Sequence, residues 1–239
     1  MDAAGLIVRE GKGRLSMAAT SPAVDSLEQR LQMVNGQLRT GDVVDQAVLA
    51  AFLEMPRERF VAPHCVAFAY LDREIPALGA KTRRLLRPLT LARMLQAAAV
   101  NAGDRALDVG GGSGYGAALL AHMGAKVVAL ESDPGAAATA RELIAGGKNV
   151  AVAEGALPAG APDLGPFDII VIEGAFRVAP DALIAELADG GRLVGIDAIV
   201  GASQIALYER RAGAISRRAI FDVAADVLDG FQPAARFAF

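Results

Sequence analysis

The residues with the most chemistry per unit length stand in one run, Leu107-Asp108-Val109-Gly110-Gly111-Gly112-Ser113-Gly114-Tyr115. Clustered glycines let a backbone pass close beneath a ligand, and a helix that starts there turns amide N–H groups toward it. Glu131 follows about twenty residues after the loop, the interval at which a carboxylate accepts the ribose hydroxyls of an adenosine in open α/β sheets. The dinucleotide fingerprint G-x-G-x-x-G fits poorly. Counted from Gly110 its sixth place is Tyr115; counted from Gly112 it is Ala117, a tolerated variant, but that register starts two glycines late. Asp108 at the mouth of the loop would repel a pyrophosphate and suits a cationic ligand with an amino group.

S-adenosylmethionine is such a ligand, having an adenosine, a sulfonium and an ammonium but no phosphate. A ligand-free glycine turn and a nucleotide site are the alternatives. The expected cofactor set is Asp108, Gly110, Gly112, Ser113, Gly114, Tyr115 and Glu131, with two additions. Glu154 is placed to meet the adenine amino group or is a solvated loop carboxylate. Glu173 is placed to face the transferred methyl or is an ordinary strand-end charge.

On the other side of the chemistry, no acidic residue stands between Glu74 and Asp104, whereas Lys81, Arg83, Arg84, Arg87 and Arg93 are basic. Basic side chains ahead of a helix N-terminus oppose its dipole, an arrangement that suits an anionic acceptor or a solvated basic loop. A carboxylate acceptor is already ionised at neutral pH, so positioning can replace a general base. His64 and His122 read as structural or solvated, Cys65 as a small apolar filler, and no metal-ligating constellation is present. No G-x-S-x-G elbow supports a hydrolase.

Alternation of short elements must hold these groups in place. Apolar runs predict strands over residues 105–109, 126–131, 149–153, 167–172 and 192–196. Helices are predicted after Tyr115, from Pro134 through 136–144, and over 181–188 before Gly190-Gly191. Strand–helix–strand alternation predicts a mostly parallel sheet covered on both faces, with 204–210 and 217–223 an antiparallel pair at its end. Upstream, Leu27, Leu31, Val34 and Leu38 form a helical stripe. Val44, Val48, Phe52 and Leu53 form another, with Asp42 as N-cap and Pro56 as stop. Residues 57–88 read as irregular, and a further helix follows Pro88. The expected organisation is an extension over 1–23, a helical and acceptor-side segment over 24–100, and a Rossmann-like domain over 101–239, with 24–239 one compact unit.

Bulk properties narrow the classes. With 53% hydrophobic and 21% charged residues the chain is a well-filled globule. A net charge of −3 argues against nucleic acid as the main partner. The uncharged run 109–125 holds six glycines and reads as a loop entering a helix, so no membrane partner is expected. Charges at Asp2, Arg9, Glu10, Lys12 and Arg14 interrupt any leader, and one cysteine suits a reducing, cytoplasmic setting. Oligomeric state is not legible.

Several segments together resemble the protein-L-isoaspartate O-methyltransferase family. They are Met33-Val34-x-x-Gln37-Leu38-Arg39, Met55-Pro56-Arg57-x-x-Phe60-Val61, Ala69-Tyr70-x-Asp72, Gly103-Asp104-Arg105, the loop 110–115, and Gly190-Gly191-Arg192-Leu193-Val194. The resemblance implies a Rossmann-like, S-adenosylmethionine-dependent methyltransferase fold with added N-terminal helices. It also implies methyl transfer to the α-carboxylate of isoaspartyl residues in damaged proteins, and so a protein or peptide acceptor bearing a carboxylate. The family's Gly-x-Thr-x-Ser-x-Pro segment, beside the acceptor site, is replaced by Gly79-Ala80-Lys81-Thr82-Arg83-Arg84-Leu85-Leu86-Arg87-Pro88. Anchored on Pro88, Leu86 takes the serine position and Arg84 the threonine position; a shift of two recovers Thr82. Thr82, Arg84 and Arg87 are therefore the acceptor-side candidates. A different acceptor, or a cofactor-binding homologue without catalysis, are the alternative functions.

Overall fold

The computed structural model describes residues 26–144, 146–147 and 149–233; the extension expected over 1–23 lies outside them. Helix α1 (Ser26–Met33) passes into a π-helical turn over Val34–Leu38 and a 3-10 turn over Arg39–Gly41. The change of period moves the buried face. Met33, Val34 and Leu38 are buried, while Leu27 and Leu31 of the expected stripe are 49% and 41% exposed. Asp42 is not the N-cap of α2 (Gln46–Glu54), because it takes a left-handed φ of 63° that turns the chain. An N-cap needs extended geometry, and Asp45 has it: its Oδ1 accepts from the Ala47 and Val48 amides at 2.8 and 3.2 Å.

Residues 57–88 are mostly irregular, with 3-10 turns over Arg57–Phe60 and Pro63–Phe68 and a two-residue antiparallel pair, β1 (Ile75–Pro76) and β2 (Arg84–Leu85). Helix α3 (Pro88–Ala98) starts on proline, whose missing N–H costs nothing at a first helical position.

The remaining elements are β3 (Arg105–Val109), α4 (Tyr115–His122), β4 (Lys126–Glu131), α5 (Pro134–Ile144), β5 (Val150–Glu154), β6 (Phe167–Phe176), α6 (Asp181–Ala185), β7 (Leu187–Asp197), β8 (Gln204–Arg211) and β9 (Ala214–Asp222). Among the described residues the main sheet has seven strands in the order β5-β4-β3-β6-β7-β8-β9. The first five run parallel, and β8 is antiparallel to both neighbours. Helix α6 stops short of the expected 188 because Leu187 pairs with Phe167 and enters the sheet. From β3 the chain builds outward to β5, then returns to lay β6 on the other side of β3. That reversal puts a crevice at the carboxyl ends of β3 and β6, where such sheets bind ligands.

Burial follows the two-residue strand period. Ile169 and Val171 of β6 join the core that includes Phe52, Leu91 and Tyr115, whereas Ile170 and Ile172 join Leu107, Val109, Phe176 and Phe231 on the opposite face. Ser216, Arg217 and Arg218 keep the outer strand β9 polar, which discourages edge-to-edge pairing. No helix of the described residues is long and apolar enough to cross a membrane.

Candidate active site

The glycine loop joins β3 to α4 at the crevice. Gly110, Gly112 and Gly114 take φ values of 74°, 66° and 90°, which side chains rarely adopt, so glycine is required by the path of the backbone. Asp108, the fourth residue of β3, points beneath this loop. It is 1% exposed, and neither carboxylate oxygen has a hydrogen-bond partner.

Glu173, in β6, meets Asp108 under the first turn of α4. A Cβ added at Gly116 would collide with the Glu173 carboxylate and touch Asp108 Oδ1, so glycine there leaves room for Glu173 beside Asp108. Burial, and then repulsion from Glu173, hold Asp108 well above the usual carboxylate range. Burial likewise pushes Glu173 up to about 7. Two buried carboxylates this close cannot both ionise cheaply, so the pair keeps a proton in the free protein. Arg57 is the neighbouring cation. It is fully buried, donates to the carbonyls of Ala69 (2.9 Å) and Leu86 (2.8 Å), and lies 5.0 Å over the Tyr115 ring.

Glu131 closes the other side of the loop. Its carboxylate accepts from the Gly112 amide at 2.9 Å, Ser132 at 2.7 Å and Asp133 at 3.1 Å. It also pairs with Arg83, whose Nη2 and Nε stand 3.0 and 3.3 Å away. A cleft of about 320 Å³ opens beside these groups, lined in part by Thr82, Arg83, Arg84, Leu86, Glu173 and Leu228. Leu228 belongs to a C-terminal segment strapped along β6: its amide donates to the Ala175 carbonyl, and the Ala175 amide donates to that of Asp226, each at 2.9 Å.

The candidates therefore divide. Asp108, Glu131, Glu173 and the loop glycines converge on one crevice. Ser113 faces away, its Oγ donating to the Phe60 carbonyl at 2.6 Å, which ties the loop to the N-terminal helices. Tyr115 is core, packed against Phe52 and Phe60. Glu154 sits on the surface in an ion pair with Arg141 of α5. Thr82 is exposed at the cleft, Arg84 donates to the Glu74 carbonyl at 2.8 Å, and Arg87 is exposed at the start of α3. The grip of Arg83 on Glu131 and the strap carrying Leu228 have no local sequence signal, since both join segments far apart in the chain.

The donor set suits a cationic adenosine. A strand-end carboxylate flanked by amides is matched to a ribose diol, and the orphaned Asp108 carboxylate is matched to positive charge. A Rossmann-like sheet with this acidic glycine loop defines the class of S-adenosylmethionine-dependent methyltransferases.

Comparison with known proteins narrows the class. The model of the protein-L-isoaspartate(D-aspartate) O-methyltransferase family matches residues 28–224. The chain belongs to that family. It is 41% identical over 184 residues to a protein-L-isoaspartate O-methyltransferase of Methylorubrum extorquens, covering 76% of this chain and 79% of that one. A relative of the same name from Koribacter versatilis is 36% identical over 211 residues, covering 86% and 93%. Among solved structures, a protein-L-isoaspartate O-methyltransferase superposes with a TM-score of 0.74 at 22% identity, over 84% of this chain and 66% of the other. A Plasmodium falciparum structure described as such an enzyme with S-adenosyl-L-homocysteine gives 0.71 at 21%, over 83% and 97%; both likenesses concern the fold.

Proposed function

We propose that this chain methylates the α-carboxylate of isoaspartyl residues in proteins or peptides, using S-adenosylmethionine, in the cytoplasm. One observation carries the reading: Asp108 and Glu131 flank the glycine loop, and Glu173, which meets Asp108, also lines a neighbouring cleft where Arg83 and Arg84 stand among the carboxylates of Glu74, Asp226 and Asp229. Glu131 and the loop amides would hold the adenosine end, and Asp108 with Glu173 the cationic end. The bound cofactor supplies a methyl group on a sulfonium, which an ionised carboxylate oxygen displaces as the carbon–sulfur bond breaks. The acceptor needs no base, so the work of the chain is orientation and exclusion of water. Arginine matches a carboxylate with two parallel hydrogen bonds.

Leu86 favours a second reading. Buried in the cleft lining, it cannot hydrogen-bond an acceptor, which fits a methyltransferase whose acceptor is another protein or small anion.

Incubation with labelled cofactor and an isoaspartyl peptide, beside the normal aspartyl peptide, tests the first reading. Label on the isoaspartyl peptide alone is the expected result. Binding of S-adenosylhomocysteine with no label transferred would favour the second reading, and no binding at all would remove both.

A further inference from the structure

Arg83 occupies the Glu131 carboxylate, to which the proposed function assigns the ribose. It is 7% exposed and lies across the glycine loop, its Cγ within 3.0 Å of where a Cβ on Gly112 would sit. Its guanidinium contacts both oxygens of Glu131, the Ser132 hydroxyl at 3.2 Å and Asp229 at 3.4 Å. A carboxylate offers roughly four lone-pair sites. Those of Glu131 are taken by Arg83 and by three backbone amides that the loop and strand end hold in place. A ribose diol can therefore gain Glu131 only by displacing Arg83.

We propose that Arg83 is a two-position side chain, held by Glu131 in the free protein and released by the cofactor's ribose to bind the acceptor's carboxylate. The inference rests on the function proposed above. Guanidinium stays charged in proteins, so the displaced group needs another anion. Asp229, with its side chain 70% exposed, is a weak partner screened by water. An acceptor carboxylate entering the cleft that Arg83 lines is a better one, and Arg83 would donate to it the hydrogen bonds that Leu86 cannot. The loop itself need not move. Its backbone is pinned by the Lys81 amide on Asp133 (2.9 Å) and by Arg57 on the Leu86 carbonyl (2.8 Å). Cofactor and acceptor then bind cooperatively, because each removes a cost of binding the other.

Calorimetry decides this without turnover, using S-adenosylhomocysteine with and without an unmethylated isoaspartyl peptide. In the wild type the peptide should tighten S-adenosylhomocysteine at least about fivefold, the low end of ordinary coupling. Arg83→Met keeps the aliphatic stem over Gly112 and removes the charge. It should bind S-adenosylhomocysteine at least as tightly as the wild type, with the peptide effect gone. A loss of about tenfold or more in Arg83→Met would overturn the proposal, showing that Arg83 orients Glu131 instead of competing for it. Coupling that persists in the variant would overturn it too. If the variant fails to fold, the Arg83 Nε–H resonance of the wild type gives the answer: it must shift when S-adenosylhomocysteine binds, and a resonance unmoved by saturation refutes displacement. A wild type that binds no S-adenosylhomocysteine removes the cofactor reading itself. A wild type that binds it but ignores the peptide removes the acceptor half, and the variant's affinity still decides the competition for Glu131.

Discussion

Replacing Glu173 by glutamine should stabilise the free protein, and only at high pH. Glu173 is buried against Asp108, and burial raises its carboxyl from the ordinary 4.5 to about 7. A raised carboxylate pKa means that the folded state binds the proton more tightly than the unfolded chain does. Stability from this group is complete at low pH and falls as pH rises from about 4.5 through about 7, where ionisation must be forced in the fold. At about 1.4 kcal/mol per pH unit the full loss is about 3 kcal/mol. Glutamine has nearly the same shape, needs no ionisation, and its amide can donate to Asp108. The gain at pH 8.5 should therefore be about 2–3 kcal/mol, or about 4–12 °C in Tm for a chain of this size. At pH 5 the two proteins should be nearly equal. Urea denaturation at both pH values, with melts followed by circular dichroism, measures it. A variant no more stable than the wild type at pH 8.5, or equally stabilised at pH 5, would refute the claim that these carboxylates share a proton.

Other outcomes follow from the same contacts. Glu131→Ala should weaken S-adenosylhomocysteine by about 2–4 kcal/mol in calorimetry, through loss of charge-assisted hydrogen bonds to ribose. The same variant should lose up to about 3–5 kcal/mol of stability in denaturation, because buried Arg83 loses Glu131 and keeps as counter-charge the solvent-screened Asp229. Cofactor affinity should rise with pH toward and beyond 7, since a cation beside Asp108 and Glu173 expels their shared proton; titrations in buffers of different ionisation enthalpy should show proton release, and Glu173→Gln should abolish it. Residues 24–239 should unfold in one transition seen alike by fluorescence and circular dichroism, because one buried cluster runs from Met33 to Leu207; two separated transitions would divide the chain.

The sequence by itself determined the class of fold and the glycine loop at the centre of the proposed site. The strands over 105–109 and 126–131 were readable to the residue, because buried parallel strands are largely apolar runs, here bounded by Arg105, Lys126 and Glu131. The glycine loop with Asp108 and Glu131 was readable because backbone geometry and one carboxylate at a set interval impose residue types locally. Tertiary contact decided the rest. Tyr115 and Ser113 stand in the loop motif, yet their side chains serve the N-terminal helices, since a helix start has an inner and an outer face and packing chooses between them. Glu154 ends β5, one residue past the predicted strand, and Arg141 on the covering helix claims it. Asp42 and Asp45 are equal as capping residues in composition, and the turn that reverses the chain selects the second. Arg83 lies 48 positions from Glu131 and 146 from Asp229, and Leu228 reaches across the chain to Ala175 of β6. No periodicity spans such distances: contacts of that range exist only once the sheet has brought its carboxyl edge together.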